Sequence, residues 1–276
     1  MKRFIIFYLA IILLTGSGYL SAQVAIAPST IFISDQTNVG TVFLSNRSDD
    51  PQEVTIDFTF GYPSSDEDGN LVMVYDDLEI SERYSIDNLI RAFPRSFVLA
   101  PREQQTVRFQ MRPMMQSPDG MYWTRVRILA NPQSAEIGLP TEEEISTRIT
   151  FRFEQIIAAF YRKGSATTGL EVTGVDVRHE NDRTILLPRL KRTGNSPYIG
   201  SMTARMYNPA GNMVLERQAT ITAYFDEIRR LELDTDELPA GDYRVELTFE
   251  TRRGDMSPTD LVQAAPLTQT VQVVIP

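Results

Sequence analysis

Turn-forming residues recur about every 8–12 positions along most of this chain, and the segments between them alternate apolar and polar side chains. Residues 54–60 are the clearest case: Val54, Ile56, Phe58 and Phe60 are separated by two threonines and an aspartate. Successive side chains of a strand point to opposite faces, and no long segment repeats with the 3.6-residue period of a helix. The pattern predicts an all-β protein built from antiparallel sandwiches.

The strand-rich segments form two sets of about 100–140 residues, each a suitable length for one immunoglobulin-like sandwich. Small and polar residues from 163 to 169 separate the sets and are typical of a linker. We therefore predict two Ig-like domains in tandem, residues 23–163 and 169–276. Within the first, residues 25–33 are expected to form one strand around Pro28, whereas residues 85–91 fit a helical turn or a strand equally well.

The amino terminus has the composition of a secretory signal peptide. Lys2 and Arg3 precede an apolar run from residue 4 to 14, and small or polar residues follow up to Gln23. We predict a signal peptide of residues 1–22, cleaved near Ala22, and a periplasmic protein. The chain has no cysteine, so its stability must come from packed cores without disulfides.

Composition argues against several kinds of chemistry. A net charge of -9 is a poor match for nucleic acid. The single histidine, His179, lies beside a predicted turn, so a nucleophilic triad or a zinc site is not expected. Asp66, Asp68 and Asn70 are more simply a hairpin turn than a calcium loop. We predict no enzyme activity, catalytic residue, metal or cofactor; a hydrolase using paired carboxylates stays open, but binding or structure is the more economical class.

Residues 146–162 are the most informative for function. Ile149, Phe151 and Phe153 alternate with Thr150, Arg152 and Glu154, so one face of the strand is apolar and the other polar. Such a strand can complete the core of its own sandwich, or it can be lent to a partner that lacks a strand. The alternation itself allows both.

Six short motifs in the same order resemble the periplasmic pilus-assembly (PapD-like) chaperones, whose fold is two Ig-like domains. The resemblance covers residues 24–161 and makes the N-terminal domain PapD-like, while the second half is similar only in size and strand pattern. The motifs are an early strand with Pro28 and Ile31, followed by Leu44–Asn46, Pro94–Pro101, Gln105–Arg108, Pro118–Trp123 and Phe160–Arg162.

The resemblance implies a function: a chaperone that lends the strand before Phe160 to secreted fimbrial or pilin-like subunits, with an outer-membrane usher as a further partner. The donor positions carried over are Ile149, Phe151, Phe153 and Ile157. Their apolar side chains would fill the open groove of the subunit, and backbone hydrogen bonds would provide affinity.

The chain also departs from that family. The two positions that hold the subunit's terminal carboxylate with Arg and Lys correspond here to Thr30 and Ala158, which are uncharged. Asp119 and Arg162 match an interdomain ion pair, with Asp in place of Glu. The departures leave a second function open, namely a non-donating structural or adhesive Ig-like envelope protein.

Overall fold

The computed structural model describes residues 24–133, 152–180 and 183–276, and within them the chain forms two β-sandwiches. The first sandwich packs a four-stranded sheet, in the order β1-β3-β9-β7, against a five-stranded sheet, in the order β2-β11-β10-β4-β8. Its strands are β1 (Val24–Ala27), β2 (Thr30–Ser34), β3 (Val39–Asn46), β4 (Gln52–Thr59), β7 (Ile90–Phe93), β8 (Ser96–Leu99), β9 (Gln104–Met111), β10 (Gly120–Pro132) and β11 (Phe153–Lys163).

The second sandwich packs β12, β13, β16 and β17 against a sheet in the order β15-β14-β18-β19. The all-β, two-sandwich architecture predicted from alternation is thereby confirmed. Its strands are β12 (Thr168–Glu180), β13 (Arg183–Gly194), β14 (Tyr198–Tyr207), β15 (Met213–Ala223), β16 (Glu227–Ile228), β17 (Leu231–Asp234), β18 (Gly241–Glu250) and β19 (Leu267–Ile275). Whether residues 23–163 and 169–276 fold as independent domains stays a prediction.

A hairpin and a short helix leave the first sandwich on the side of the second. The hairpin consists of β5 (Tyr62–Ser65) and β6 (Leu71–Val74), and helix α1 (Leu78–Tyr84) follows it. Sequence alternation did not predict this helix. The local signal is Asp77, whose carboxylate accepts a hydrogen bond from the backbone N–H of Ile80 at 3.0 Å and so caps the first turn.

The predicted single strand at residues 25–33 is two strands in different sheets. β1 pairs with β3, whereas β2 pairs in parallel with β11. Pro28 lies between them, and because proline has no N–H to donate, it interrupts a ladder at the point where the chain crosses from one sheet to the other. Apolar alternation continues through the crossover, which is why the sequence suggested one strand.

The second sandwich contains a buried ion pair. The Arg229 Nε lies 2.6 Å from the Glu227 Oε1, and the side chains are 9% and 2% exposed. Burial raises the pKa of Glu227 to about 7, and the neighbouring Arg229 opposes this rise. The folded protein therefore retains a proton that the unfolded chain releases above about pH 4.5, so this group's contribution to stability decreases as pH rises from about 4.5 to about 7.

Replacing Arg229 with methionine leaves Glu227 buried without its cation. We expect the free energy of unfolding at pH 8 to decrease by about 3–5 kcal/mol, and by less at pH 5, where Glu227 is protonated. Urea unfolding followed by circular dichroism at the two pH values measures this. In the double variant with Glu227→Gln, the loss of unfolding free energy should be the same at both pH values. If Arg229→Met alone loses equal unfolding free energy at pH 5 and pH 8, the raised pKa of Glu227 is contradicted.

Candidate functional site

Within the described ranges, one stretch of β11 has a neighbouring strand on only one side. β10 pairs with β11 along its full length, from Phe153 to Lys163, but β2 pairs only with residues from Ala158 to Arg162. The crossover at Pro28 takes the preceding residues into the other sheet. Among the described residues, 153–157 therefore form an unpaired strand edge, which we name the open edge.

The backbone groups at the open edge can be assigned from the neighbouring pairing. The carbonyl of Arg162 accepts a hydrogen bond from the N–H of Asp35 at 2.9 Å, so Arg162 directs its backbone groups toward β2. The β10–β11 register is continuous, and alternate residues of a strand direct their N–H and C=O groups to opposite sides. Glu154 and Ile156 consequently present their N–H and C=O groups at the open edge, while Gln155 directs its groups to β10.

The side chains near the open edge divide between the core and solvent. Ile157 is 3% exposed and belongs to the core of the first sandwich, and Phe153 is half-buried against the same core. Odd-numbered residues of β11 face inward, so the side chain of the predicted donor residue Ile157 is packed in the core of its own sandwich. Ile149 and Phe151 lie outside the described residues. Ile156 is 42% exposed. Sequence alternation did not single it out, because it shares the polar face with Glu154.

The open edge ends where β2 begins. Thr30 and Ala158, the two uncharged positions, are direct partners in the parallel β2–β11 pairing. Thr30 also lines a cleft of about 190 Å³ between the sandwiches, together with Asp255 and Asp260. Asp255 is paired with Arg253 at 2.6 Å. The polar side chains that line this cleft carry hydroxyls and carboxylates, and its other lining residues are apolar, so the lining does not favour a terminal carboxylate.

The sequence-predicted pair of Asp119 and Arg162 is not formed. Gly120 is opposite Lys163 in the β10–β11 register, and the Lys163 Nζ lies 3.6 Å from the Asp119 carboxylate. The backbone N–H of Ser165 also donates to Asp119 and holds the pKa of this carboxyl below its ordinary value. Arg162 instead donates to the backbone carbonyl of Asp260 in the second sandwich. Both residues thus lie at the junction, each with another partner.

An aromatic cluster joins the two sandwiches, and we name it the junction cluster. Trp123, 2% exposed, stacks on Tyr84 with ring centroids 4.6 Å apart and meets Tyr224 of the second sandwich edge to face at 4.8 Å. Arg125 donates to the Tyr224 hydroxyl at 3.2 Å. The cluster's buried members are Phe60, Tyr62, Met121, Trp123, Phe160, Ile199, Tyr224 and Leu261. Sequence reasoning did not identify it, since its members come from distant segments.

Backbone contacts reinforce the junction. The N–H of Met121 donates to the carbonyl of Asn195 at 3.2 Å, and the Asn195 amide donates to the carbonyl of Asp119 at 3.0 Å. A Cβ at Gly120 would lie 2.7 Å from the Asn195 carbonyl oxygen, so this approach requires glycine. The sandwiches are held by a packed apolar contact with directional hydrogen bonds around it, which fixes the open edge relative to the second sandwich.

The remaining sequence candidates have structural partners. Asp66 accepts hydrogen bonds from the backbone N–H groups of Asp68 and Asn70 and closes the β5–β6 turn. His179 lies in the last part of β12, one residue before its end, with its Nδ1 3.3 Å from the Thr184 hydroxyl. No group of three or more metal-ligating side chains occurs in the described part of the chain. Residues 24–133, 152–180 and 183–276 contain no helix long and apolar enough to span a membrane.

No family model matches the chain, and no curated protein sequence matches it. Solved structures do. The YadV chaperone is 11% identical with a TM-score of 0.46, over 91% of this chain and 100% of that chain. A complex of the CsuC chaperone with the CsuE tip subunit from Acinetobacter baumannii is 11% identical with a TM-score of 0.45, over 91% of this chain and 98% of that chain. The Salmonella enterica SafA pilin in complex with the SafB chaperone is 12% identical with a TM-score of 0.42, over 92% of this chain and 99% of that chain. At such low identities and TM-scores, the function of this chain has to be argued from its own residues.

Proposed function

We propose that this protein is an exported, periplasmic chaperone that binds secreted fimbrial or pilus-type subunits by adding an edge of its own sheet to theirs. The observation that carries the proposal is the open edge of β11. The sequence resemblance of the chain to the pilus-assembly chaperones, through the motifs Pro94–Pro101 and Phe160–Arg162, supports the same function. The mechanism requires no nucleotide, metal or covalent chemistry.

The open edge offers what strand addition needs. Five residues of extended chain span about 16 Å, and the N–H and C=O groups of Glu154 and Ile156 are available to a guest strand. An unpaired edge of this kind is a template for association unless something covers it. A subunit whose sandwich lacks one strand would satisfy both partners at once: its groove gains a strand, and the chaperone's edge gains a neighbour.

Apolar side chains would add to this backbone pairing. Phe153 is half-buried, so a guest core that continues across the open edge could enclose the rest of its ring. We keep Ile149 and Phe151 as proposed guest-contacting residues on the basis of sequence alternation. Each apolar side chain buried in a guest would contribute about 1.5–3 kcal/mol before the cost of ordering. Ile157 is excluded, because its own core already holds it.

The end of the guest strand cannot be held here by the Arg and Lys that the pilus-assembly chaperones use. A strand parallel to β11 along the open edge would end beside Thr30 and Ala158, where the cleft carries the Asp255 and Asp260 carboxylates. We therefore propose that affinity comes from edge pairing and apolar burial, without a clamp on a terminal carboxylate.

The second candidate function, a non-donating structural or adhesive protein, is favoured by one observation. Phe153 and Ile157 both pack against the core of the first sandwich, as expected for a strand that serves only its own domain. The two candidates differ in what happens at the open edge when a subunit is present.

Amide hydrogen exchange at single-residue resolution distinguishes them. In the free protein, the amides of Glu154 and Ile156 should exchange faster than that of Gln155, which is directed to β10. When the chain is co-expressed with a secreted subunit from its own gene cluster and purified as a complex, we expect both edge amides to become protected. Capture with protection elsewhere, or no capture of any such subunit, would favour the non-donating candidate.

A further inference from the structure

A second cavity lies on the side of the second sandwich that faces the β5–β6 hairpin. It has a volume of about 390 Å³, within the range of binding pockets. Its floor is apolar and includes Met202, Ile221 and Leu231, which are all nearly fully buried. Leu71 of the hairpin, 63% exposed, extends this apolar surface toward solvent.

Arg217 is the unusual member of the lining. It pairs in register with Ala204, a fully buried residue of β14, and its strand neighbours Leu215 and Ala219 pack against the second core. Because strand residues two apart share a face, Arg217 occupies an inward-facing position. The Arg217 side chain is nevertheless exposed, so its guanidinium lines the cavity where solvent, or a ligand, can reach it.

The charges around Arg217 are already compensated. Arg229 is paired with Glu227, and Arg230 is paired with Glu180 and Glu232. Glu232, the acid that lines the cavity, also binds Arg183. Within the described residues, Arg217 makes no ion pair or hydrogen bond, although the protein as a whole is acidic.

The strand that carries Arg217 is an edge. Among the strands that the structure describes, β15 pairs with β14 alone. The carbonyl of Thr222 accepts a hydrogen bond from the Arg229 Nη2 at 3.0 Å, so Thr222 directs its backbone groups away from β14. By alternation, Gln218 and Thr220 direct their N–H and C=O groups the same way, beside the cavity. An extended segment could therefore pair with β15 and place one apolar side chain on the cavity floor.

We propose that this cavity binds an extended polypeptide segment of a partner protein that carries an acidic side chain, with the carboxylate on Arg217, an apolar side chain over Met202 and backbone pairing to β15. The site is in the second sandwich and is separate from the open edge of β11. It gives the second sandwich a binding role that does not depend on subunit capture.

The test uses the full-length mature chain with methyl-labelled methionines. The probes are two capped hexapeptides of alternating valine and threonine, one with a central glutamate and the other with glutamine in its place. We expect the glutamate peptide to shift the Met202 methyl signal and to bind about tenfold more tightly than the glutamine peptide. Met256, in the cleft beside Thr30, serves as the internal reference and should not shift.

Variants assign the effect to Arg217. Arg217→Gln should remove the preference for the glutamate peptide, whereas Arg252→Gln, at an arginine that is 75% exposed, should retain it. Equal affinities of the two peptides for the wild type, an unshifted Met202, or an unchanged preference in Arg217→Gln would each overturn the proposal. So would self-association of Arg217→Gln without a change in peptide preference, since Arg217 would then only protect the edge of β15. Butyrate shifting Met202 as strongly as the peptide would overturn the assignment to an extended segment.

Discussion

Replacing Ile156 with proline is expected to weaken capture of a subunit about a hundredfold and to leave the first sandwich folded. Proline removes the N–H that Ile156 presents at the open edge, and its ring projects into the space that a guest strand would occupy. Proline is tolerated on an edge strand when the lost N–H has no ladder partner, as for Ile156 within the described part of the chain. The loss should therefore appear in affinity and not in stability.

The measurement is the dissociation constant of the purified subunit for each variant, with circular dichroism as a check of the fold. Ile156→Val is the matched control, because it keeps the N–H and the β-branched side chain, and it should bind like the wild type. Gln155→Pro should behave in the opposite way, since Gln155 directs its N–H to β10 and its replacement disrupts the pairing of β11 itself. If Ile156→Pro and Ile156→Val bind a subunit equally well, pairing at the open edge does not mediate capture.

Replacing Trp123 with alanine is expected to reduce the free energy of unfolding by about 3–5 kcal/mol. The ring is nearly fully buried and packs against Phe60, Tyr84 and Tyr224. Its removal opens a cavity between the two sandwiches, where rings from both are in contact. Domains typically have only about 5–15 kcal/mol of stability, so this loss is large.

Trp123→Phe separates the roles of volume and polarity at this position. The Trp123 Nε1 has no hydrogen-bond partner among the described residues. Phenylalanine keeps part of the ring volume and removes the unpaired N–H, so we expect a loss well below that of alanine. Trp123 is the only tryptophan, so both variants lack tryptophan fluorescence, and urea unfolding should be followed by circular dichroism. A change of less than about 1 kcal/mol for Trp123→Ala would show that the junction cluster contributes little to stability.

The sequence correctly predicted which side chains of the strand at residues 54–60 face the core, but it predicted the partners of strands and side chains incompletely. Alternation in residues 54–60 places Val54 and Ile56 in the first core, where the structure buries them. The sequence shows a proline at position 28, but the effect of Pro28 depends on which sheet each half of the segment joins. The partner of Asp119 shows the same limit: family resemblance suggested Arg162, whereas the β10–β11 register places Lys163 beside it.

By itself, the sequence of this protein determined which side chains of each strand share a face, since that follows from a two-residue period within one segment. The tertiary structure alone decided which strand edges remain unpaired and which rings meet at the junction. These features depend on contacts between residues far apart in the chain, such as Thr30 with Ala158 and Trp123 with Tyr224. A local period carries no information about which distant segment lies beside a strand, so the open edge of β11 appeared only when β2 was placed next to it.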